Sequence, residues 1–138
     1  MVSLNHSRKI SDDALIMWRD ILVNNPDCGL LIITTETSEL GVKNIFEQRF
    51  ARLGLPVDRV SAVPRLTMLQ FMRLGSIADF ALDSFPVSGG VTTFHTLWMG
   101  LPVLAIRPKQ AISIRSYSAN TLEHLGLQEC IVEDSTQL

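Results

Sequence analysis

Hydrophobic residues recur along this chain in two patterns, one typical of amphipathic helices and one typical of buried strands. Apolar positions three or four apart predict helices, which are 11–25, 41–54, 65–75, 91–100 and 113–126. Short, continuous apolar runs predict strands buried on both faces, which are 29–35, 58–63, 79–83, 101–106 and 129–133. This alternation predicts an α/β fold with a doubly wound, mainly parallel, Rossmann-like sheet.

Local signals refine the predicted elements. Ser11 is a candidate N-cap of the first helix, and Gly54 is a candidate C-terminal cap of the second. Trp18 and Trp98 lie on apolar helical stripes, so we interpret both as core residues. The opening "MVSL" is too short to predict a comfortable first strand. We expect residues 1–138 to form a single Rossmann-like domain that is truncated at both ends.

Composition and charge narrow the class of protein. The 138 residues are 46% hydrophobic and 19% charged, with a net charge of -2 and scattered basic residues. These values favour a globular cytoplasmic protein, with neither nucleic acid nor a membrane as partner. The apolar runs are too short to span a bilayer, and the first residues lack the apolar segment of a signal peptide. Cys28 and Cys130 form no paired motif, so we expect reduced thiols.

The segment that follows the strand at 79–83 carries the clearest indication of ligand binding. In a doubly wound sheet, ligands bind beyond the carboxyl ends of the strands. There Gly89 and Gly90 would let a backbone approach closely, while Thr92 and Thr93 would add hydroxyl donors at the start of a helix. A diphosphate would fit such a turn. The spacing fits a simple turn with a threonine cap equally well, because glycine-rich strand-to-helix turns are weak motifs.

Other polar residues give weaker indications. His6, Arg8 and Lys9 precede the first helix and could meet an anion, although ordinary solvated charge is the simpler interpretation. Asp83 ends a predicted strand and is interpreted as a cap of the loop that follows it. The serine-rich segment 113–120 is interpreted as a helix cap. The three histidines lack the spacing of a metal site, so we expect no metal and no other cofactor.

Four stretches of the chain together resemble one known family. They read "LNHSRKISDDALIMWRDILVNNPDCGLLI", "LGLPVDRV", "IADFALDSFPVSGGVTTFHTLWMGLPVLAI" and "LEHLGLQECIV". They are similar to the carboxyl-terminal catalytic half of O-linked N-acetylglucosamine transferases, and most of all to bacterial SPINDLY-family proteins. The resemblance implies the donor-binding half of a two-Rossmann-domain (GT-B) glycosyltransferase. It also implies a nucleotide sugar and an acceptor protein as partners, with the acceptor bound by an amino-terminal half or by tetratricopeptide repeats.

The resemblance implies roles for individual residues. Lys9 matches a lysine that contacts the donor diphosphate and stabilises charge on the departing nucleotide. The turn Gly89–Thr93 matches the family's diphosphate-binding helix start, with Val91 in place of the expected threonine. His6 matches a glutamine of animal relatives near the same phosphates. His95 stands where the family has an acidic residue that holds the ribose hydroxyls.

Departures from the family pattern leave more than one function open. The first is transfer of a sugar, N-acetylglucosamine by default, from a UDP sugar to protein serine or threonine hydroxyls, with the isolated chain inactive. The second is a degenerate, non-catalytic binding or scaffold domain, because the imidazole of His95 cannot replace a bidentate carboxylate. Phe71 and Met68 replace polar residues near the uracil of animal relatives, and Arg115 lies one position from the usual arginine. An NAD-dependent enzyme is disfavoured, because no G-x-G-x-x-G follows the first strand.

Overall fold

The computed structural model describes residues 1–107 and 115–133, in which strands and helices follow one another. The strands are β1 (Val2–Ser3), β2 (Leu30–Ile33), β3 (Val60–Val63), β4 (Ala81–Leu82), β5 (Val103–Ile106) and β6 (Ile131–Val132). The helices are α1 (Asp12–Asn24), α2 (Glu39–Leu53), α3 (Met68–Met72), α4 (Val91–Trp98) and α5 (Tyr117–His124).

The strands form one six-stranded parallel sheet in the order β3-β2-β1-β4-β5-β6. This order confirms the predicted α/β, doubly wound fold. From β1 the chain builds outward through β2 and β3, and it then returns to place β4 on the other side of β1. A crevice opens beyond the carboxyl ends of β1 and β4, where the direction of winding changes.

The expectation that "MVSL" forms no comfortable strand is wrong. Val2 and Ser3 pair with Leu31 and Ile32 of β2, and Val2 also pairs with Ala81 of β4. Two residues suffice here because β1 lies between two neighbours and both of its side chains are buried. Length is a poor guide to a central strand, because its hydrogen bonds come from the strands beside it and its burial from the layers packed on the sheet.

Two hydrophobic clusters hold the helices against opposite faces of the sheet. The first joins α1 and α2 to β2 and β3, and Trp18 lies in it with 2% of its surface exposed, as predicted. The second joins α5 and the residues around α4 and α3 to β1, β4 and β5. The helical caps in the first layer are as predicted: Ser11 Oγ accepts from the N–H of Ala14, and Gly54 ends α2 with a φ of 70°.

Several predicted boundaries need correction. The helix expected over 65–75 contains only α3, after which Arg73–Ser76 form a 3-10 turn. Gly75 allows close packing, since a Cβ there would lie 2.5 Å from the carbonyl oxygen of Met99. The helix expected over 113–126 is described from residue 115 onward, and residues 113–114 lie outside the described residues.

The assignment of Trp98 to the core is also wrong. Its surface is 83% exposed, because α4 turns Thr93, Thr96 and Leu97 inward and leaves Val91, Phe94 and Trp98 outside. The apolar stripe of α4 is therefore not its buried face. In the described part of the chain, none of the helices has the length and apolar character needed to cross a membrane.

Candidate functional site

The crevice between β1 and β4 brings together two segments that the sequence analysis singled out separately. The chain leaves β1 into a 3-10 turn, Ser7–Lys9, and it leaves β4 into the loop that carries the glycine turn. Lys9 Nζ donates a hydrogen bond to the carbonyl oxygen of Ser88 at 2.8 Å. Ser11 Oγ, in the same stretch as Lys9, donates to the carbonyl oxygen of Phe85 at 2.6 Å. The two loops are therefore in direct contact.

The start of α4 presents unpaired backbone donors beside Lys9. Its N-cap residue is Gly90, which has no side chain, so the first turn receives no side-chain cap. Within the described residues, the N–H groups of Gly90, Val91 and Thr92 have no hydrogen-bond acceptor. The threonine cap considered from sequence is absent. An uncapped helix start with a lysine beside it is a favourable place for an anion.

Among the described residues, no carboxylate forms an ion pair with Lys9. The ion pairs among the described residues involve Asp12, Asp20, Glu47 and Glu123, and none includes Lys9. The side chain is half-buried, and within residues 1–107 and 115–133 its ammonium bonds only a neutral carbonyl, that of Ser88. A positive charge that is partly screened from water and lacks an acidic partner attracts anions more strongly than a fully solvated one.

Gly89 faces the interior of the protein and not the crevice. Its N–H donates to Asp83 Oδ1 at 2.7 Å, and its carbonyl oxygen accepts from Ser118 Oγ at 3.3 Å. A Cβ at this position would lie 2.6 Å from Thr93 Oγ1 and 2.9 Å from Asp83 Oδ1. Gly89 therefore allows the turn to pack closely, while the donors exposed to a ligand belong to the three residues that follow it.

The other predicted site residues divide between the interior and the surface. Thr93 Oγ1 lies 2.8 Å from Ser118 Oγ in a buried contact, so its hydroxyl does not face the crevice. Val91 is 68% exposed. His6 is exposed, and its Nδ1 accepts from the N–H of Arg8 at 3.2 Å, which caps the 3-10 turn. Of the side chains of Thr93, Val91 and His6, only that of His6 is both polar and exposed. It precedes Lys9 in the chain.

A cavity of about 400 Å³ lies next to the start of α4. Its size falls within the range of small-molecule sites. His95 and Phe71 meet inside it edge to face, with ring centroids 6.1 Å apart. None of the described residues that line it is acidic, and they are Leu4, Ile33, Thr34, Thr35, Arg65, Leu66, Met68, Phe71, Thr92 and His95. Thr92 belongs both to this cavity and to the open helix start, so the two form one continuous site.

Asp83 is the buried ionisable group of the site. Burial raises the pKa of its carboxyl above the usual value of 3.8, because desolvation disfavours the charged form. Hydrogen bonds from the N–H of Gly89 and from Asn5 Nδ2 oppose that shift without overcoming it. Asp83 caps the loop through Gly89, as interpreted from the sequence.

The sequence analysis missed three residues of this site. Asn5 lies just beyond β1, after Leu4, and its Nδ2 donates to Asp83 Oδ1 at 3.3 Å. Ser118 was included in a segment interpreted as a helix cap, but it bonds the glycine turn, and the N-cap of α5, Ser116, makes no capping bond. Arg65 lines the cavity from the end of β3. Asn5 and Arg65 could have been identified from their positions, because both follow strands at the ligand-binding edge of the sheet.

The described residues contain no group of three or more histidine, cysteine, aspartate or glutamate side chains arranged to hold a metal ion. The cysteines Cys28 and Cys130 are both free thiols, as expected. At this edge of the sheet, the described residues supply an ammonium group, backbone N–H groups, an imidazole, hydroxyls and the guanidinium of Arg65.

Comparison with known proteins places this chain in a family. The model of glycosyl transferase family 41 matches residues 1–138. A Petunia hybrida protein described as a probable UDP-N-acetylglucosamine–peptide N-acetylglucosaminyltransferase SPINDLY is 26% identical over 98% of this chain. The protein of the same description from Eustoma exaltatum subsp. russellianum is 30% identical over 96% of the chain. The chain spans only 14% of the length of each of these relatives.

A solved structure supports the fold assignment. A mutant O-GlcNAc transferase from Thermobaculum terrenum superimposes with a TM-score of 0.85 at 24% identity. The match covers 99% of this chain and 26% of the other. The whole-chain match to the family model, together with the parallel six-stranded fold, leads to one conclusion. The chain belongs to glycosyl transferase family 41.

Proposed function

We propose that this chain is the nucleotide-sugar-binding domain of an O-linked glycosyltransferase that transfers N-acetylglucosamine from UDP to serine or threonine hydroxyls of proteins. One observation carries the proposal: the ammonium of Lys9 lies beside the uncapped start of α4, at the point of the sheet where the winding changes direction. The names of the relatives support the choice of sugar and acceptor.

In this proposal the donor diphosphate lies across the start of α4. The N–H groups of Gly90, Val91 and Thr92 donate to its oxygens, and Lys9 provides a positive charge. Backbone donors and an ammonium group suit a diphosphate because both stabilise negative charge in a fixed position. Gly89 and Thr93, which the family pattern also assigns to phosphate binding, shape the turn from the inside.

The nucleoside then occupies the adjoining cavity. Phe71 offers an aromatic face for a base, and His95 and Thr92 offer polar atoms for ribose hydroxyls. An imidazole makes one hydrogen bond where a carboxylate would make two, so we expect ribose binding to contribute modestly to affinity. The sugar would project from the far end of the diphosphate, out of the crevice.

During transfer, the bond between the anomeric carbon and the phosphate oxygen breaks as the acceptor oxygen bonds to that carbon. Negative charge develops on the departing UDP, and Lys9 with the α4 donors stabilises it in the transition state. The acceptor hydroxyl loses its proton to a base. We assign that base, and the acceptor-binding surface, to regions that the relatives have beyond the span of this chain.

The second candidate function is a non-catalytic domain. One observation favours it: none of the described residues that line the cavity carries a carboxylate. With His95 in place of a carboxylate at the ribose, the domain could retain its fold without binding a nucleotide sugar. It would then serve as a non-catalytic binding or scaffold domain. The intact pairing of Lys9 with the open helix start favours the transferase.

Calorimetric titration with UDP tests the proposal, with GDP as the competing base. We expect UDP to bind, and Lys9→Ala to weaken binding about tenfold, as expected for one charge-assisted contact to phosphate. Lys43→Ala is the matched control, because Lys43 is an exposed lysine on α2 paired with Glu47. Absence of UDP binding would overturn the proposal in favour of the non-catalytic domain, and equal affinity in Lys9→Ala would remove Lys9 from the site.

A further inference from the structure

A buried group of polar side chains lies directly beneath the glycine turn. Asn5 at the end of β1, Asp83 at the end of β4, Thr93 on α4 and Ser118 on α5 all surround Gly89. Each of these four side chains is at least nine-tenths buried. Residues from two strands and two helices therefore converge on a single glycine.

Both backbone polar groups of Gly89 are held by this cluster. Asp83 accepts its N–H at 2.7 Å, and Ser118 donates to its carbonyl oxygen at 3.3 Å. Ser118 is itself fixed by the hydroxyl of Thr93 at 2.8 Å, and its N–H donates to Ser88 Oγ at 3.3 Å. With both peptide groups around Gly89 anchored, the direction in which the next N–H groups point is determined by the cluster.

The carboxyl of Asp83 is a costly choice for this position. It is 8% exposed, its Oδ2 has no hydrogen-bond partner among the described residues, and the same is true of Asn5 Oδ1. Buried acceptors without partners reduce stability, and an apolar pair of similar shape would avoid that loss. Such a cost is typical of positions that serve a site.

We propose that Asp83 is a positioning residue of the diphosphate site: by holding the N–H of Gly89 inward, it aims the N–H groups of Gly90, Val91 and Thr92 at the crevice beside Lys9. This inference rests on the proposed function. Asp83 does not touch the ligand. It acts through Gly89, with Asn5 and Ser118 as its supports.

The geometry of the α4 start makes this role specific. Gly90 offers no side chain to cap the helix, and the first-turn donors have no acceptor in the described residues. Their direction is therefore set from behind, through the peptide that links Gly89 to Gly90. Removing the acceptor at Asp83 would leave Lys9 and the donors present but would free the turn to rotate.

The test compares Asp83→Ala, Asp83→Asn and the exposed control Asp79→Ala by titration with UDP and with inorganic pyrophosphate. We expect Asp83→Ala to weaken binding of both probes about tenfold or more, because the phosphate donors lose their alignment. Asp83→Asn keeps an acceptor oxygen and should stay within about threefold of the unchanged chain. Asp79→Ala should bind as the unchanged chain does.

The amide resonance of Gly89 in ¹⁵N-labelled protein provides a readout that does not depend on a ligand. We expect its proton to lie downfield and exchange slowly in the unchanged chain and in Asp83→Asn, and to move upfield and exchange faster in Asp83→Ala. Folding of each variant is followed in the same spectra, and Asp83→Asn decides the matter if Asp83→Ala does not fold.

The outcomes separate this inference from the proposed function. If the unchanged chain binds neither UDP nor pyrophosphate, the proposed function fails, and the Gly89 amide alone decides whether Asp83 fixes the turn. If it binds both and Asp83→Ala binds them equally well, the proposed function stands and the positioning role is overturned. Equal weakening in Asp83→Asn and Asp83→Ala would also overturn it, because the acceptor oxygen would then not matter.

Discussion

The turn around Gly89 and the cavity beside His95 adjoin each other, but the chain holds them in different ways. Hydrogen bonds from β1, β4, α4 and α5 converge on the turn, and its residues pack too closely to admit a Cβ at Gly89. The cavity is lined largely by side chains of loops and of the short helix α3, where Met68 is 64% exposed. The comparison indicates that the chain holds the proposed diphosphate site rigidly and the proposed nucleoside cavity loosely.

The largest expected effect comes from filling the turn. Gly89→Ala places a methyl group against Thr93 Oγ1 and Asp83 Oδ1, so the network must shift. We expect a loss of about 1–3 kcal/mol in the free energy of unfolding, as for other overpacked sites. We also expect UDP affinity to fall about a hundredfold, since the donors lose their direction. Urea unfolding and calorimetric titration measure the two quantities.

Gly90→Ala is the control for this change, because no atom lies within 4 Å of the position its Cβ would take. It should unfold at nearly the same urea concentration as the unchanged chain. A Gly89→Ala variant as stable as Gly90→Ala would mean that the turn is not held more rigidly than the cavity.

A smaller effect is expected in the cavity. Phe71→Ala removes the aromatic face proposed for the base and the edge-to-face contact with His95. We expect UDP affinity to fall about tenfold, in line with the loss of one base–aromatic stack, and pyrophosphate affinity to stay constant. Titration with both probes measures this split.

Leu69→Ala is the matched control on the same helix, since Leu69 is exposed and does not line the cavity. It should bind both probes like the unchanged chain. If Phe71→Ala lowered the affinity for pyrophosphate as much as the affinity for UDP, the cavity and the turn would be coupled. They would then not be held in different ways.

The smallest expected effect is a pH dependence that originates at Asp83. Because its pKa is raised in the folded state, the folded protein retains a proton on Asp83 that the unfolded chain loses above its ordinary value of 3.8. Stability from this group is therefore present at low pH and declines as pH rises through the raised pKa. Asp83→Asn lacks this decline, so its stability relative to the unchanged chain should improve as pH rises.

Urea unfolding of both proteins between pH 3 and pH 7 checks this sign. Asp12 gives the opposite behaviour, because hydrogen bonds from Arg52 and then Arg49 lower the pKa of its carboxyl. In Asp12→Asn, stability relative to the unchanged chain should therefore improve as pH falls. A difference between Asp83→Asn and the unchanged chain that stays constant with pH would contradict the burial of an ionisable Asp83.

The sequence predicted the parallel fold and the meeting of Lys9 with the Gly89–Thr93 turn at one edge of the sheet, because each rests on local information. Apolar runs and caps identify strands and helices, and parallel strands bring Lys9 and the Gly89–Thr93 turn to one edge. The inward roles of Gly89 and Thr93 could not be predicted in this way. They depend on Asp83 and on Ser118, which lies 29 positions beyond Gly89 and reaches it only through the packing of α5.

The errors have a related physical origin. Trp98 was placed in the core because its spacing is apolar and helical, but spacing does not reveal which side of a helix meets the sheet. The sequence predicts no comfortable strand at Val2–Ser3 because the segment is short, but the segment pairs with β2 and β4, and Val2 is buried in the second hydrophobic cluster. In both cases the sequence does not show which elements of the fold pack against the residue or strand.

The hydrogen bond from Lys9 to the carbonyl oxygen of Ser88 determines when the lysine side chain loses its conformational entropy. A free lysine side chain gives up about 2 kcal/mol of rotational freedom when an anion fixes it. Here the ammonium is already tied across the mouth of the crevice before any anion arrives, 2.8 Å from its carbonyl partner. Most of that freedom is lost during folding, so under the proposed function the donor phosphate would meet a cation that needs little further ordering.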